Sequence, residues 1–190
     1  MAALRGVLPQ STPLAFPFSV VEVVRMGQMS GLSAADPGLP SRALEAVGLG
    51  GYENRFFQEL SGGEQQRAQL ARVLVQVWEP SGADGPCWLL LDEPVASRDI
   101  GHQLGVMTLV RDYARRGGGV VAVMHDLNLT AMGADRAVMM AEGRVLAAGA
   151  VADVLTDSVL GRAYGCPLRV NAAPADGAVF VLPHSAGKVA

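Results

Sequence analysis

The stretch that most constrains the fold is a run of apolar residues that ends in two adjacent acids. Cys87, Trp88 and three leucines precede Asp92 and Glu93. A continuous apolar run of this kind is typical of a buried strand in a parallel sheet, and the carboxyl ends of such strands border a ligand crevice. Two carboxylates at that edge lose solvation unless a cation or hydrogen bonds compensate them. The run therefore predicts an α/β fold with Asp92 and Glu93 at a binding site.

A second feature is the transition from loop to helix at Leu60–Arg67, which reads Leu-Ser-Gly-Gly-Glu-Gln-Gln-Arg. Ser61 is a good N-cap, and the two glycines let a ligand approach the backbone closely. Free N–H groups in the first turn of a helix attract anions, so a phosphate is the expected ligand. The helix that follows has an apolar face made of Ala68, Ala71, Leu74 and Val75.

Composition narrows the class of protein. A chain of 190 residues has the size of one domain, and with half of its residues hydrophobic it can form a core. A formal charge of -3 gives no basic surface for nucleic acid, so we expect no nucleic-acid partner. No apolar run approaches the roughly 20 residues of a membrane span. Cys87 and Cys166 are isolated, without the spacing of metal ligands.

Two further strands are predicted to end next to polar residues. Residues 4–8 precede Gln10, and residues 120–124 precede His125. The other predicted elements are helices from Ser19 to Gly27, from Ser41 (as N-cap) to Val47, from His102 to Arg116, from Leu127 (capped by Asp126) to Gly133 and from Thr156 (as N-cap) to Tyr164, a hairpin that turns at Gly143, and strands over 168–170 and 178–182.

Five motifs in one order resemble those of ATP-binding cassette (ABC) ATPases. Leu60–Arg67 resembles the signature motif of that family, and the apolar run that ends in Asp92 and Glu93 resembles its Walker B motif. Gln10, Asp99 and His125 stand where the family has its Q-loop glutamine, D-loop aspartate and switch histidine. The resemblance implies a P-loop NTPase-like ABC ATPase domain, incomplete here, with a mostly parallel sheet and a helical subdomain.

The resemblance also implies roles for these residues, with ATP and Mg²⁺ as cofactors. Glu93 would deprotonate the water that attacks the γ-phosphate, and His125 would contact that phosphate. Asp92 would hold Mg²⁺ through water, and Gln10 would reach both the Mg²⁺ and the attacking water. Nucleotide contacts, including contacts across a homodimer, are implied for Ser61, Gly62, Gly63, Glu64 and Asp99. Arg98 departs from the usual leucine of the D-loop, which leaves the packing of that loop open.

Within the family, two features are similar to ATPases of bacterial haem importers: the turn at Phe16–Phe18 and the glycine-rich insert after Trp78-Glu79-Pro80. Importers of ferric siderophores and cobalamin are the alternatives. The resemblance implies transmembrane permease subunits as partners, and a periplasmic haem-binding protein as an indirect one. It also implies a peripheral position on the cytoplasmic face of the inner membrane.

The sequence contains no Gly-x-x-x-x-Gly-Lys-Ser/Thr string, the P-loop that cradles the phosphates in this family. We therefore expect Met1 to lie inside a longer domain, and the 190-residue chain alone to bind Mg-ATP poorly and hydrolyse it negligibly. The expected divisions are 1–10 as the end of the Q-loop strand, 11–75 as the helical subdomain, 76–170 as a RecA-like catalytic core and 171–190 as a C-terminal strand and tail.

Two other classes of function stay open from sequence. The first is a non-transport ABC protein of DNA repair or translation, which normally brings a long coiled coil, a zinc hook or a basic surface. The second is a non-enzymatic fragment that regulates a complete partner or is a remnant of one.

Overall fold

The computed structural model of the chain describes residues 5–10, 16–29, 35–83, 85–95 and 99–186. It divides into two compact units, Met1–His125 and Asp126–Ala190. The α-helices are α1 (Val20–Gln28), α2 (Leu39–Ala46), α3 (Gly62–Leu74), α4 (Ile100–Arg115), α5 (Leu127–Gly133), α6 (Val151–Val154) and α7 (Asp157–Tyr164). The strands are β1 (Arg5–Leu8), β2 (Ser81–Gly82), β3 (Gly85–Pro86), β4 (Trp88–Asp92), β5 (Gly119–Val123), β6 (Arg136–Ala141) and β7 (Arg144–Ala150). Among these residues no helix has the length and apolarity needed to cross a membrane.

The first unit contains a three-stranded sheet in the order β1-β4-β5, with both pairings parallel. The apolar run of β4 therefore lies in the centre of the sheet, as its composition predicts. Leu8 pairs in register with Leu91, and Asp92 pairs with Val123. Because the three strands run in the same direction, their carboxyl ends lie at one edge of the sheet, which is where the site residues follow.

The two faces of this sheet differ in burial. Leu8, Leu89 and Leu91 are buried, whereas Val121 and Val123 are each 53% exposed. On the helical side, β1 contacts α3, which in turn packs against α1 and α2. The core of the first unit therefore lies between the sheet and α3.

Helix α1 crosses α3 at very short range. A Cβ added at Gly27 would lie 1.9 Å from the carbonyl oxygen of Arg72 in α3. No other residue type fits there without moving one of the helices. The crossing is apolar on both sides: Val20, Val23 and Val24 of α1 and Ala68, Ala71 and Val73 of α3 are all fully buried.

Helix α2 begins earlier than the sequence predicts. Its N-cap is Gly38, so the prediction of Ser41 as N-cap is wrong. Pro40 lies in the first turn, where its fixed φ suits the helix and its missing N–H costs nothing. Proline thus outweighs the capping preference of serine at this position.

The second unit contains the predicted hairpin, an antiparallel pair of β6 and β7 that turns at Glu142 and Gly143. Asp126 caps α5, and Thr156 caps α7 through the N–H of Val159. The strands predicted over 168–170 and 178–182 are absent, and those residues form neither helix nor strand. Their β-branched composition favours extended backbone, but a strand also needs a partner strand to accept its hydrogen bonds.

Candidate functional site

Side chains that follow β1, β4 and β5 meet at one carboxylate. Nε2 of Gln10 donates to Oε1 of Glu93 at 3.1 Å, and Nε2 of His125 lies 2.7 Å from the same oxygen. Gln10 and Glu93 are 83 residues apart in sequence, so the sheet, and not local sequence, brings them together. Of the residues proposed for catalysis, all three therefore form one hydrogen-bonded cluster.

Glu93 has an unusual backbone. Its φ of 51° lies in the left-handed region, which costs a non-glycine residue about 1–2 kcal/mol. Its N–H donates to the carbonyl of Val123 at 3.2 Å, and its own carbonyl accepts from Nε2 of Gln66 at 2.5 Å. The sharp turn after β4 aims the carboxylate towards Gln10 and His125. No role for Gln66 is predicted from sequence, because only the folded chain shows which carbonyl its amide reaches.

Asp92 and Gln10 are the residues that the family resemblance assigns to Mg²⁺. Asp92 ends β4 and is half-buried at the same edge of the sheet. The amide nitrogen of Gln10 faces Glu93, so its oxygen is the atom left to face a cation. Within the described ranges no three His, Cys, Asp or Glu side chains cluster as a metal site. One carboxylate and one amide oxygen suit Mg²⁺, since it keeps several waters and takes few protein ligands when phosphate is present.

The start of α3 is capped by three hydrogen bonds between Ser61 and Glu64. The N–H and the Oγ of Ser61 both donate to Oε2 of Glu64, at 2.8 and 2.7 Å. The N–H of Glu64 in turn donates to Oγ of Ser61 at 3.4 Å. The Ser61 hydroxyl, and then its N–H, hold the pKa of Glu64 below its usual value. Ser61 and Gly62 are exposed, so this helix start is accessible to a ligand.

Asp99 has a structural role within its own chain. It is the N-cap of α4, and its Oδ1 accepts the N–H of His102 at 3.0 Å. That backbone hydrogen bond is the main reason why the pKa of Asp99 is lowered. Its contact across a homodimer stays a prediction. Arg98 lies outside the described residues, so the packing of the D-loop around it stays a prediction.

Comparison with known proteins extends these observations. No family model matches the chain. It is 60% identical over 186 residues to a hemin import ATP-binding protein HmuV from Jannaschia sp. (strain CCS1), covering 98% of this chain and 69% of the relative. It is 61% identical over 186 residues to the protein of the same name from Ruegeria sp. (strain TM1040), covering 98% of this chain and 72% of that relative.

Solved structures agree with the fold. A chain of an ABC transporter in an inward-facing conformation, described as of metal-chelate type, matches with a TM-score of 0.71 and 25% identity over 86% of this chain and 64% of that one. The ATP-binding cassette MJ0796, a dimer bound to ADP and Pi, matches with a TM-score of 0.66 and 25% identity over 77% of this chain and 62% of that one. The chain belongs to the ABC ATPases, in the family of the hemin import ATP-binding proteins.

Proposed function

We propose that this chain forms part of the ATP-hydrolysing subunit of an ABC importer that takes up hemin. The observation that carries the catalytic part is the convergence of Gln10 and His125 on Oε1 of Glu93. A carboxylate held in place by two hydrogen bonds at the ends of parallel strands is suited to accept a proton from a water molecule. Glu93 is the general base of this proposal.

Each neighbour of Glu93 has its own task. Gln10 and His125 both bind Oε1, which leaves Oε2 to accept the proton of the attacking water. His125 is 75% exposed at its side chain, so its ring can reach a phosphate that approaches from solvent. Asp92 and Gln10 would hold Mg²⁺, which when bound neutralises charge on the phosphate oxygens.

The start of α3 and Asp99 serve a second copy of the subunit in this proposal. The exposed N–H groups after Ser61 would bind the nucleotide held by the other copy, with Ser61, Gly62, Gly63 and Glu64 at the contact. Asp99 would meet the other copy nearby. The dimeric arrangement of MJ0796 with ADP and Pi supports this assignment. Two such subunits would drive transmembrane permease subunits from the cytoplasmic face of the inner membrane.

Hemin is the proposed cargo because relatives that are 60% and 61% identical to this chain are hemin import ATP-binding proteins. Ferric siderophores and cobalamin are the competing cargoes. The ATPase does not need to touch its cargo, so the periplasmic binding protein would select it.

The test uses a chimera, the complete subunit, in which this chain replaces the matching part of the Jannaschia relative. This subunit is reconstituted in vesicles with the permease subunits of the Jannaschia importer. We expect hemin-loaded binding protein to stimulate ATP hydrolysis, and expect no stimulation by a siderophore-loaded or cobalamin-loaded one. If only the siderophore-loaded binding protein stimulates hydrolysis, the cargo is a siderophore and not hemin. If Glu93→Gln leaves hydrolysis unchanged, Glu93 is not the base.

A further inference from the structure

The structure joins the signature helix to the base of the same chain through one side chain. Gln66 lies in the second turn of α3, and its Nε2 donates to the backbone carbonyl of Glu93 at 2.5 Å. The two residues are 27 positions apart. The bond is directional: a carbonyl oxygen only accepts, so the amide must present its NH₂ group.

This bond acts where the backbone is under strain. Glu93 has a φ of 51°, a conformation that persists in a non-glycine residue only when its surroundings hold it. Two hydrogen bonds hold the two sides of this residue: its N–H donates to Val123 in β5, and its carbonyl accepts from Gln66 in α3. Without Gln66, the carbonyl side loses its tether and the peptide can relax.

We propose that Gln66 is a positioning residue for ATP hydrolysis, which fixes the left-handed peptide of Glu93 and thereby the direction of its carboxylate. The inference rests on the proposed function, in which Glu93 is the base. Gln66 does not touch the reacting atoms and acts through Glu93. The two hydrogen bonds that Oε1 receives from Gln10 and His125 depend on that direction.

The placement of Gln66 also connects Glu93 to the start of α3, which is the proposed contact for the other copy's nucleotide. Ser61 and Gln66 are separated by five residues along one helix, or about 7.5 Å of rise. A displacement of α3 by a nucleotide at Ser61 would therefore move the Gln66 amide that donates to the carbonyl of Glu93.

The neighbouring glutamine provides a matched control. Gln65 is equally half-buried, but its Nε2 donates to the carbonyls of Phe57 and Leu60, at 3.2 and 3.1 Å. Those bonds hold the loop in front of α3 and do not reach Glu93. Gln65→Met and Gln66→Met each remove an amide donor, from adjacent positions of one helix. They differ in which backbone carbonyl loses its hydrogen bond.

The experiment measures ATP hydrolysis by the complete subunit as a function of ATP concentration. We expect Gln66→Met to lower kcat about 10- to 100-fold with KM nearly unchanged, since a small misplacement of a catalytic group has effects of this size. Gln66→Glu should be worse, because it places an acceptor against the carbonyl. Gln66→Lys, which keeps a donor on a long chain, should retain more activity than Gln66→Met.

Nitrogen-15 NMR of the 190-residue chain separates a positioning role of Gln66 from a general loss of structure. At one fixed pH, the nitrogen-15 shifts of the His125 ring should change in Gln66→Met and stay as in wild type in Gln65→Met, since only the first moves Glu93. Equal kcat for Gln66→Met and wild type, while Glu93→Gln abolishes turnover, would overturn the role of Gln66 and leave the proposed function intact. Turnover that survives Glu93→Gln would overturn the proposed function first. If the His125 ring shifts change equally in Gln66→Met and Gln65→Met, Gln66 only supports the helix.

Discussion

Nε2 of His125 lies 2.7 Å from Oε1 of Glu93, although the two residues are 32 positions apart. The carboxylate is 25% exposed and the imidazole 75%, so the acid is recessed and the histidine stands at the rim. Both side chains follow neighbouring strands of one parallel sheet, β4 and β5. The sheet therefore fixes a recessed carboxylate, the proposed base, beside an exposed histidine, the proposed contact for phosphate.

The first prediction concerns Glu93→Gln in the complete subunit. The amide keeps the size of the side chain but accepts no proton, so we expect kcat to fall at least about 100-fold while nucleotide binding persists. Glu142→Gln is the matched control, because Glu142 is also a glutamate with a left-handed φ, here 50°, in the exposed β6–β7 turn. Steady-state hydrolysis and equilibrium nucleotide binding check both variants, and equal losses of activity would argue against a specific role of Glu93.

The second prediction separates capping from function with two serines. Ser19 and Ser61 each donate through N–H and Oγ to the glutamate three residues later. Ser19→Ala and Ser61→Ala should each lower the free energy of unfolding by about 1 kcal/mol. Only Ser61→Ala should also lower ATP hydrolysis, by about 100-fold, since Ser61 is proposed to contact a nucleotide.

Urea unfolding of the chain and steady-state kinetics of the complete subunit measure the two effects. An equal loss of hydrolysis in Ser19→Ala would mean that the activity follows stability alone.

The third prediction is a dependence of stability on acid. Hydrogen bonds from Ser19 and from Ser61, each chiefly through its hydroxyl, lower the pKa of Glu22 and of Glu64 in the folded chain. A carboxyl whose pKa is lower in the folded chain adds stability at a pH above its ordinary pKa, here 4.5. That contribution is lost as the pH falls through the lowered pKa. Wild type should therefore lose stability below that value more steeply than Glu22→Gln/Glu64→Gln.

The check is urea unfolding of both proteins from about pH 7 down to about pH 3.5. Both carboxyls are exposed, so the difference is modest. Curves that run parallel across this range would show that neither glutamate has a lowered pKa.

Sequence patterns predict those parts of the structure that depend on short-range chemistry. The central place of β4 follows from its apolar run, and the caps Ser61, Asp126 and Thr156 follow from local hydrogen bonding. The meeting of Gln10, Glu93 and His125 could be predicted only in outline, from the rule that parallel strands end at one edge.

The features that sequence patterns do not predict depend on how distant parts of the chain pack together. The bond between Gln66 and Glu93 depends on how α3 lies against the sheet, and no local pattern encodes that. The strands predicted over 168–170 and 178–182 fail for a related reason, since strand propensity does not supply a partner strand. At α2, the error is local: a proline in the first turn moves the start of the helix ahead of Ser41.

The fourth prediction compares two glycines that the chain needs for different reasons. At Gly27, an added Cβ would lie 1.9 Å from the carbonyl oxygen of Arg72, so Gly27→Ala should destabilise the chain by about 1–3 kcal/mol. At Gly62, an added Cβ would meet nothing within 4 Å. Gly62→Ala should leave stability unchanged or raise it by up to about 1 kcal/mol, because alanine is the better helix former.

The fold thus gives no reason for glycine at position 62, whereas a ligand that approaches the backbone gives one. We expect Gly62→Ala to lower ATP hydrolysis by the complete subunit, with a higher KM, because the methyl group stands between the helix start and the other copy's nucleotide. Urea unfolding of both variants and steady-state kinetics of Gly62→Ala provide the measurements. If Gly62→Ala hydrolyses ATP like wild type, the nucleotide does not come close to this backbone, and the contact across the dimer must lie elsewhere on α3.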